Sequence, residues 1–487
     1  MKHKKYIAIA LTALLTFGSA QTALAKVIYH DISKGNLEIS QTTDDTYEVK
    51  GSTTTHSIIV KDGVVTHIVL NGVNIETTKE NGIKIGSEAN VVLELDGTNS
   101  ITVNTESYDT AKAGINVAEG TLTITGGEDD SLDVKVIDNG YPSDGAAIGS
   151  DEDEDFTGTI IIEGGTINAS SEYGAGIGSG YKSEMSGTIT ISGGEVEASS
   201  SYGAGIGSGW DGEMSGTITI SGGEVTASSS YFGAGIGAGD FGDITESGSI
   251  TIGGNATVTA NSKKGLGIGS GDYGNMNGTI TITDDAKVDI TLGDTSNKTG
   301  IGAGKDNFYD HYYKFNGRIN ILEHANVELK YDDPEDTDYE GTPNIGSVNP
   351  DSTGEITLST GATINGVSGS DPEALKGLGI IYETSNVSIV EPTPETVDSR
   401  NTYSLKQLNL VQRINEAEDG EVVAVSEKQL SKGKLPAYAL EALAKKENVT
   451  LAILCEKFDI LIPAEDAVDD AGSTQFYTID ELVEMYE

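Results

Sequence analysis

A short glycine-rich motif recurs at a nearly constant interval along most of the chain. The sequence Gly-Ala-Gly-Ile-Gly-Ser-Gly occurs at 174–180 and again at 203–209. A fixed period of about 30 residues is typical of a solenoid, in which every repeat forms one coil that stacks on its neighbours. Related motifs surround isoleucines separated by 29 to 33 residues, with one longer final interval of 44: Ile83, Ile115, Ile148, Ile177, Ile206, Ile236, Ile268, Ile301 and Ile345.

Two further short segments follow the motif in each repeat. After Ile177 come Thr-Ile-Thr-Ile at 188–191 and, beyond a Gly-Gly corner, Glu-Val-Glu-Ala at 195–198. Alternation of apolar and polar residues predicts half-buried strands, and glycine suits the corners between them. We therefore predict an all-β fold, a right-handed parallel β-helix of about ten coils with pectate-lyase-like architecture. Ile177 should stack on Ile206 and Ile189 on Ile218, whereas a β-sandwich would not require a fixed period.

The first 25 residues have the features of a secretory signal peptide. Lys2, Lys4 and Lys5 precede an apolar run at 7–20, and Ala-Leu-Ala at 23–25 is typical of a cleavage site. We therefore expect export, and association with a cell surface, if any, without a covalent anchor. No later segment is long and apolar enough to predict a membrane span.

Composition divides the rest of the chain. Residues 26–65 are less regular and predict an N-terminal cap, and residues 66–390 carry the β-helix repeats. A proline-containing linker is expected at 391–402, followed by a small α+β module at 403–487.

The formal net charge of −46 limits the class of partner. A strongly acidic surface repels nucleic acid and anionic lipid, so neither is an expected partner. The same charge could simply keep a long repetitive sheet soluble.

The segment His67–Ile75, together with 82–85 and 90–99, resembles the carbohydrate-binding β-helix family first recognised in clostridial extracellular proteins. The Gly-Ala-Gly-Ile-Gly repeats are similar to those of many exported proteins of Firmicutes. The resemblance covers residues 60 to 370 approximately. It implies binding of plant cell-wall polymers, including acidic pectic sugars, with calcium, although the family's calcium ligands match no particular positions here. The module at 403–487 looks like one that ends many Firmicutes surface proteins.

An aromatic residue follows the Gly-Ile-Gly strand in four successive repeats: Tyr181, Trp210, Phe241 and Tyr273. If the coils stack in register, these rings form one ridge with a ring about every 5 Å, and flat rings bind the faces of sugars. The alternative is that the rings only stack on one another and stiffen the turns. A second set, Tyr173, Tyr202 and Phe232, precedes the same strand and is typical of packing.

Acidic residues accompany this predicted ridge. Oxygen-only clusters suit calcium, and the candidate ligands are Asp151, Asp153, Asp155, Asp211 and Asp240. The acidic run at 151–155 is equally typical of a solvated loop.

The sequence contains no recognised catalytic motif, so we expect no enzyme activity. A nucleophile elbow, a zinc-binding His pair and a phosphate-binding loop are all missing. Polysaccharide lyases share the fold and use a basic residue, but Arg318 is the only arginine between 27 and 390. Rows of Thr-x-Thr, such as those at 188–190 and 217–219, also occur on ice-binding β-helices, and on ordinary exposed strands.

These observations predict an exported, non-catalytic protein that binds polysaccharide, with an acidic cell-wall glycan as partner and calcium as cofactor. The alternative is an adhesive or structural cell-surface rod without glycan specificity.

Overall fold

The computed structural model describes residues 26–43, 45–105, 111–140, 144–293, 299–306, 311–332, 343–347, 349–381 and 386–392, with 410, 414, 417, 422–426, 430, 434–446, 448–454, 459–468 and 476–486. The predicted signal peptide lies outside the described residues. The chain divides into two compact units, one of Lys26–Thr393 and one that comprises Pro394–Glu487. None of the described helices is both long and apolar enough to cross a membrane.

The first unit is a parallel β-helix built from three ladders of stacked strands. The first and second ladders belong to one 23-stranded sheet, and the third is an 11-stranded sheet. The first ladder contains Val27–Asp31, Thr46–Thr53, Val65–Thr77, Asn90–Asp96, Thr121–Thr125, Thr159–Ile162, Thr188–Ile191, Thr217–Ile220, Ser249–Ile252, Thr279–Ile282, Arg318–Ile321, Glu355–Ser359 and Asn386–Val390.

The second ladder continues each coil after the Gly-Gly corner. The long strands at 46–53 and 65–77 extend into it, since Ile75 pairs with Ile101. Its other strands are Thr98–Thr105, Ser131–Asp138, Thr166–Ser170, Glu195–Ser200, Glu224–Ser229, Thr257–Ser262, Lys287–Leu292, Asn326–Tyr331 and Thr363–Ile364, which pairs antiparallel with Val367–Ser368.

The third ladder is formed by the Gly-Ile-Gly strands. Ile177 pairs with Ile206 in this ladder, as Ile189 pairs with Ile218 in the first, so the predicted stacking is confirmed. The nine isoleucines that defined the repeat all lie in the third ladder, in register. Its strands are Leu37–Ile39, Ile58–Val60, Ile83–Ile85, Ile115–Asn116, Ile148–Gly149, Ile177–Gly178, Ile206–Gly207, Ile236–Gly237, Ile268–Gly269, Thr299–Gly302 and Asn344–Gly346.

From Ile148–Gly149 onward, the glycine that ends each third-ladder strand is required by its backbone. Gly207 has a φ of 141°, and a Cβ atom there would strike the carbonyl oxygen of Gly237 in the next coil. Only glycine allows the coils to approach this closely.

Coils begin inside the segment predicted as an N-terminal cap. Strands at 37–39 and 58–60 already pair in the third ladder, because Leu37 and Ile58 supply the same buried column as later isoleucines. A 3-10 turn at Ile32–Lys34 places Ile32 fully inside the core.

At the other end, helix α1 spans Pro372–Gly377. Asp371 caps it by accepting a hydrogen bond from Ala374 N at 3.0 Å. Leu375, Ile380 and Ile381 are buried against the core and cover part of this end. Two short strands, Lys305–Asp306 and His311–Tyr312, pair antiparallel and follow the third-ladder strand Thr299–Gly302.

The second unit has an α+β fold with its own core, which includes Leu435, Leu440, Leu451, Ile462 and Leu482. Two helices lie in its described part, α2 (Ala437–Leu443) and α3 (Ile479–Tyr486), with a 3-10 turn at Ala464–Asp466. Strands Val422–Ser426, Thr450–Leu454 and Asp459–Pro463 form one sheet, and Lys434–Pro436 pairs with Phe476–Thr478.

Candidate functional site

The turns after the third-ladder strands carry the predicted site, and buried serines hold those that follow Ile177, Ile206 and Ile268, whereas Ala238 takes this position in the turn of Phe241. Ser208 Oγ donates to the carbonyl of Gly212 at 2.6 Å and accepts from Gly239 N at 3.0 Å. Ser179 and Ser270 make the corresponding bonds to Ser183 O and Gly274 O. These side chains satisfy buried backbone groups within the turn and tie each turn to the next coil.

The turns align by their glycines and not by their aromatic residues. Trp210 N donates to Tyr173 O at 2.9 Å, and Asp240 N donates to Tyr202 O at 2.9 Å, so Trp210 and Asp240 hold the same turn position. Phe241 and Tyr273 lie one position later. The four predicted aromatic residues therefore do not form one column, and that part of the sequence interpretation is wrong.

Phe241 and Tyr273 form a stacked ring pair in consecutive coils, in which Phe241 is exposed and Tyr273 is half-buried. Their centroids are 4.5 Å apart with an interplanar angle of 11°, and Phe241 is 49% exposed. Both residues have positive φ, 64° and 63°, a conformation that bulky residues rarely adopt. In the three coils before them, polar residues hold this position: Asp153, Lys182 and Asp211. Two large rings in a strained turn position, one of them exposed, are a feature that packing alone does not require.

Tyr181 and Trp210 belong to a packed cluster with the second aromatic set. The Trp210 ring lies 5.3 Å from Tyr181 and 5.4 Å from both Tyr173 and Tyr202. Tyr173 and Tyr202 stack in parallel at 4.9 Å. The Lys182 ammonium lies 4.8 Å from the Tyr181 centroid and covers one of its faces. Mutual packing accounts for these rings.

In the coils of Phe241 and Tyr273, an aspartate occupies the turn position that Trp210 holds in its own coil: Asp240 and Asp272, respectively. Asp240 and Asp272 are 3% and 0% exposed, respectively. Burial, together with the neighbouring Asp272 carboxylate, raises the pKa of Asp240 to about 8. Asp240 is therefore largely protonated near neutral pH. In the Gly-x-x-Gly segments at 209–212 and 239–242, Trp210 directly follows the first glycine, whereas Phe241 comes one residue later. This difference in the sequence would have assigned the two rings to different turn positions.

The remaining calcium candidates are dispersed. Asp151 is 5% exposed and accepts hydrogen bonds from Lys112 Nζ at 2.8 Å, Asn81 Nδ2 at 2.7 Å and Ala113 N at 2.8 Å. The interpretation of residues 151–155 as a solvated loop is thus wrong for Asp151, whose partners compensate its burial. Asp153 and Asp211 are exposed, and the exposed Asp155 accepts from Glu184 N at 2.9 Å. In the described part of the chain, no three His, Cys, Asp or Glu side chains are grouped to hold a metal ion.

A column of acidic residues runs beside the turn. Asp155, Glu184, Glu213 and Asp243 occupy the same position in four consecutive coils, since Met185 N donates to Glu213 O and Met214 N to Asp243 O. Asp243 accepts from Asn275 N at 2.7 Å, so part of its carboxylate is used within the fold. The surface beside the Phe241–Tyr273 pair is therefore acidic.

The basic residue considered for lyase chemistry lies on the outer face of the first ladder. Arg318 Nε is 3.6 Å from Glu355 Oε2, and both side chains are exposed. His324 is exposed as well, whereas Tyr309 and the side chain of His311 lie outside the described residues. The predicted threonine rows are present but interrupted at Ile161, Ser249 and Arg318.

Comparison with known proteins gives one match. A family model described as a beta helix repeat matches residues 160–181, 189–210 and 218–240. No curated protein and no solved structure matches the chain. The three matched segments each begin in a first-ladder strand and end in or at the turn after the next third-ladder strand. This repeat match, together with the stacked parallel ladders, supports a parallel β-helix family for the chain.

Proposed function

We propose that this chain is an exported, non-catalytic protein that binds polysaccharide through the stacked ring pair Phe241–Tyr273. The observation that carries the proposal is the stacking of these two rings at 4.5 Å in a left-handed turn position. An aromatic face outside the core loses apolar contact with water when a sugar ring covers it. Retaining two such rings despite backbone strain is consistent with a binding surface.

The spacing of the rings suits an extended polymer. Strands of consecutive coils are about 4.8 Å apart, which is close to the length of one sugar unit in an extended chain. Tyr313 lies beyond Tyr273, with centroids 6.2 Å apart, and continues the aromatic surface into the next coil. Because the two rings cover each other's facing surfaces, a polymer lying along the coil axis would contact the edges of successive rings.

Calcium dependence stays a prediction and is tested separately. An acidic glycan would meet Asp211, Glu213 and Asp243 beside the ring pair, and like charges repel unless a cation lies between them. A neutral glycan needs no such cation. The response to a chelator therefore distinguishes the two glycan classes.

The alternative, an adhesive or structural rod, is favoured by a different observation. The packed cluster of Tyr173, Tyr181, Tyr202 and Trp210 stiffens the turns without any ligand. In that case the Phe241–Tyr273 pair would likewise serve only to stiffen its turns.

The test is affinity electrophoresis of the chain from Lys26 onward in gels that each contain one polysaccharide. Polygalacturonate, xylan and a neutral glucan are compared, with calcium and with chelator. We expect at least one polysaccharide to slow the protein relative to an inert marker. If none does so under either condition, glycan binding is rejected in favour of the rod. Sequencing of the N-terminus of protein secreted by the native host tests export, with Lys26 as the expected first residue.

A further inference from the structure

The first ladder ends at both extremes of the β-helix in a strand that has one neighbour among the described residues. Val27–Asp31 pairs only with Thr46–Thr53, and Asn386–Val390 pairs only with Glu355–Ser359. Such edge strands present a row of backbone donors and acceptors to any strand that can add to them.

The backbone groups directed to the two open edges can be named. Thr46 N donates to Lys26 O at 2.9 Å, so by alternation Val27 and Tyr29 direct their N–H and C=O groups away from the coil. Thr360 N donates to Val390 O at 2.9 Å, so Val387 and Ile389 direct theirs away from the opposite end. In a parallel ladder these two rows are complementary.

Exposed apolar side chains concentrate on the same two strands. Val27, Ile28 and Tyr29 are 38%, 36% and 63% exposed, and Ile389 and Val390 are 46% and 38% exposed. Ile28 and Ile389 are the two ends of one paired column that runs along the whole ladder: Ile28, Tyr47, Ile68, Leu93, Ile124, Ile162, Ile191, Ile220, Ile252, Ile282, Ile321, Leu358 and Ile389.

We propose that a second copy of this chain adds head to tail, so that its Val27–Asp31 strand pairs in parallel with Asn386–Val390 of the first copy. Continuing the ladder in register places Val27 opposite Ser388 and Ile28 opposite Ile389. The apolar column then passes from one copy into the next. A foreign strand could complete one edge only, whereas another copy completes both edges by the same contact.

This contact is heterologous and does not close, so it generates chains of variable length. The interface is small because it joins only one five-residue strand of each copy, and at one end helix α1 covers part of the core. Interfaces of this size are weak. The net charge of −46 on each copy opposes contact at low ionic strength, and salt screens this repulsion. Association should therefore increase with protein concentration and with salt.

The test is sedimentation equilibrium of the untagged chain from Lys26 to Glu487 over a range of concentrations at low and high salt. We expect the weight-average mass to rise continuously with concentration at high salt, beyond that of two chains. A mass that stays at one chain at every concentration and salt level overturns the proposal, as does a mass that stops at two chains.

Two proline variants determine which edges meet. Tyr29→Pro and Ile389→Pro each remove an outward N–H without removing a bond inside the fold, and edge strands tolerate such prolines. Each variant alone should remain monomeric, whereas an equimolar mixture should form a dimer, because each supplies the edge that the other lacks. Association of either variant alone, or a monomeric mixture, contradicts head-to-tail pairing.

Two further variants control for folding and for general stickiness. Where circular dichroism shows that a proline variant has lost the β-helix, Ile28→Lys or Ile389→Lys replaces it, because a lysine on an edge strand blocks pairing. Phe241→Ala removes a comparably exposed apolar side chain away from both edges, 49% against 46% for Ile389. This variant should associate like the wild type, and its loss of association would assign the contact to the turns.

Discussion

Asp240 holds, in its own coil, the turn position that Trp210 holds in the coil before it. Their N–H groups donate to Tyr202 O and Tyr173 O respectively, both at 2.9 Å. The exchange of a ring for a buried carboxyl at this position ends the packed cluster. Phe241, one position later, then begins a stacked ring pair with Tyr273. The predicted aromatic ridge is thus two separate groups of rings, the packed cluster around Trp210 and the Phe241–Tyr273 pair. We expect substitutions in the two groups to have different effects.

Trp210→Ala should destabilise the fold more than it affects binding. Trp210 contacts the rings of Tyr173, Tyr181 and Tyr202, and each aromatic pair contributes about 0.5–1.5 kcal/mol beyond its burial. We expect a loss of about 2–4 kcal/mol in the free energy of unfolding, measured by urea titration with far-UV circular dichroism. Trp210→Phe should recover part of it. Unchanged stability with lost glycan retention would instead place the binding site at Trp210.

The repeat was predictable because its determinants are local. Alternation at 188–191 and a constant interval between isoleucines specify which residues stack, and Ile189 does pair with Ile218. The start of the solenoid was less predictable, since the strand at 37–39 has buried residues of the same kind but no glycine motif. The domain boundaries predicted at 391 and 403 fall partly outside the described residues.

The site was predictable only in its composition. Counting aromatic residues suggested one column, but a single residue between Gly239 and Phe241 moves that ring to a different turn position. Burial of Asp240 and Asp272 was not apparent, because an aspartate beside glycine usually marks an exposed turn. Nor did the sequence indicate that Asp151 pairs with Lys112, which is 39 residues away in the chain.

Gly207→Ala should disrupt stacking of the central coils. Its Cβ atom would strike the carbonyl oxygen of Gly237, and the φ of 141° disfavours any side chain. Because the added atom would meet the backbone of the next coil, which cannot move aside as a side chain can, we expect the free energy of unfolding to fall by more than about 3 kcal/mol, or the variant not to fold. Gly377→Ala is the matched control, since nothing lies within 4 Å of its added Cβ. Thermal unfolding of both variants makes the comparison, and equal melting temperatures would refute the close approach of the coils.

Stability should fall as pH rises from mildly acidic to mildly alkaline. Burial raises the pKa of Asp240 and of Asp144 to about 8, from a usual value of 3.8. The folded protein therefore retains protons that the unfolded chain releases. This contribution is fully present below about pH 4 and is lost as pH rises through about 8. A pKa difference of one corresponds to about 1.4 kcal/mol.

Urea unfolding of the wild type and of Asp240→Asn at about pH 5, 7 and 9 measures this effect. Asn replaces the protonated carboxyl without titrating, so the variant should show a shallower loss of stability than the wild type. Asp129→Asn, at an exposed position that does not influence the pKa of Asp240, is the control and should follow the wild type. Identical pH profiles for wild type and Asp240→Asn would show that Asp240 does not carry the proton.

The central claim is that Phe241 and Tyr273 bind the glycan. The measurement is the dissociation constant of the double variant Phe241→Ala/Tyr273→Ala for whichever polysaccharide retains the wild type, determined by affinity electrophoresis. Tyr231→Ala is the matched control, because that ring is 37% exposed but carries the Lys264 ammonium 4.6 Å from its centroid. We expect the double variant to bind the polysaccharide about tenfold or more weakly than the wild type, equivalent to about 1.4 kcal/mol. Tyr231→Ala should bind it with the dissociation constant of the wild type. Wild-type retention by the double variant would contradict the central claim.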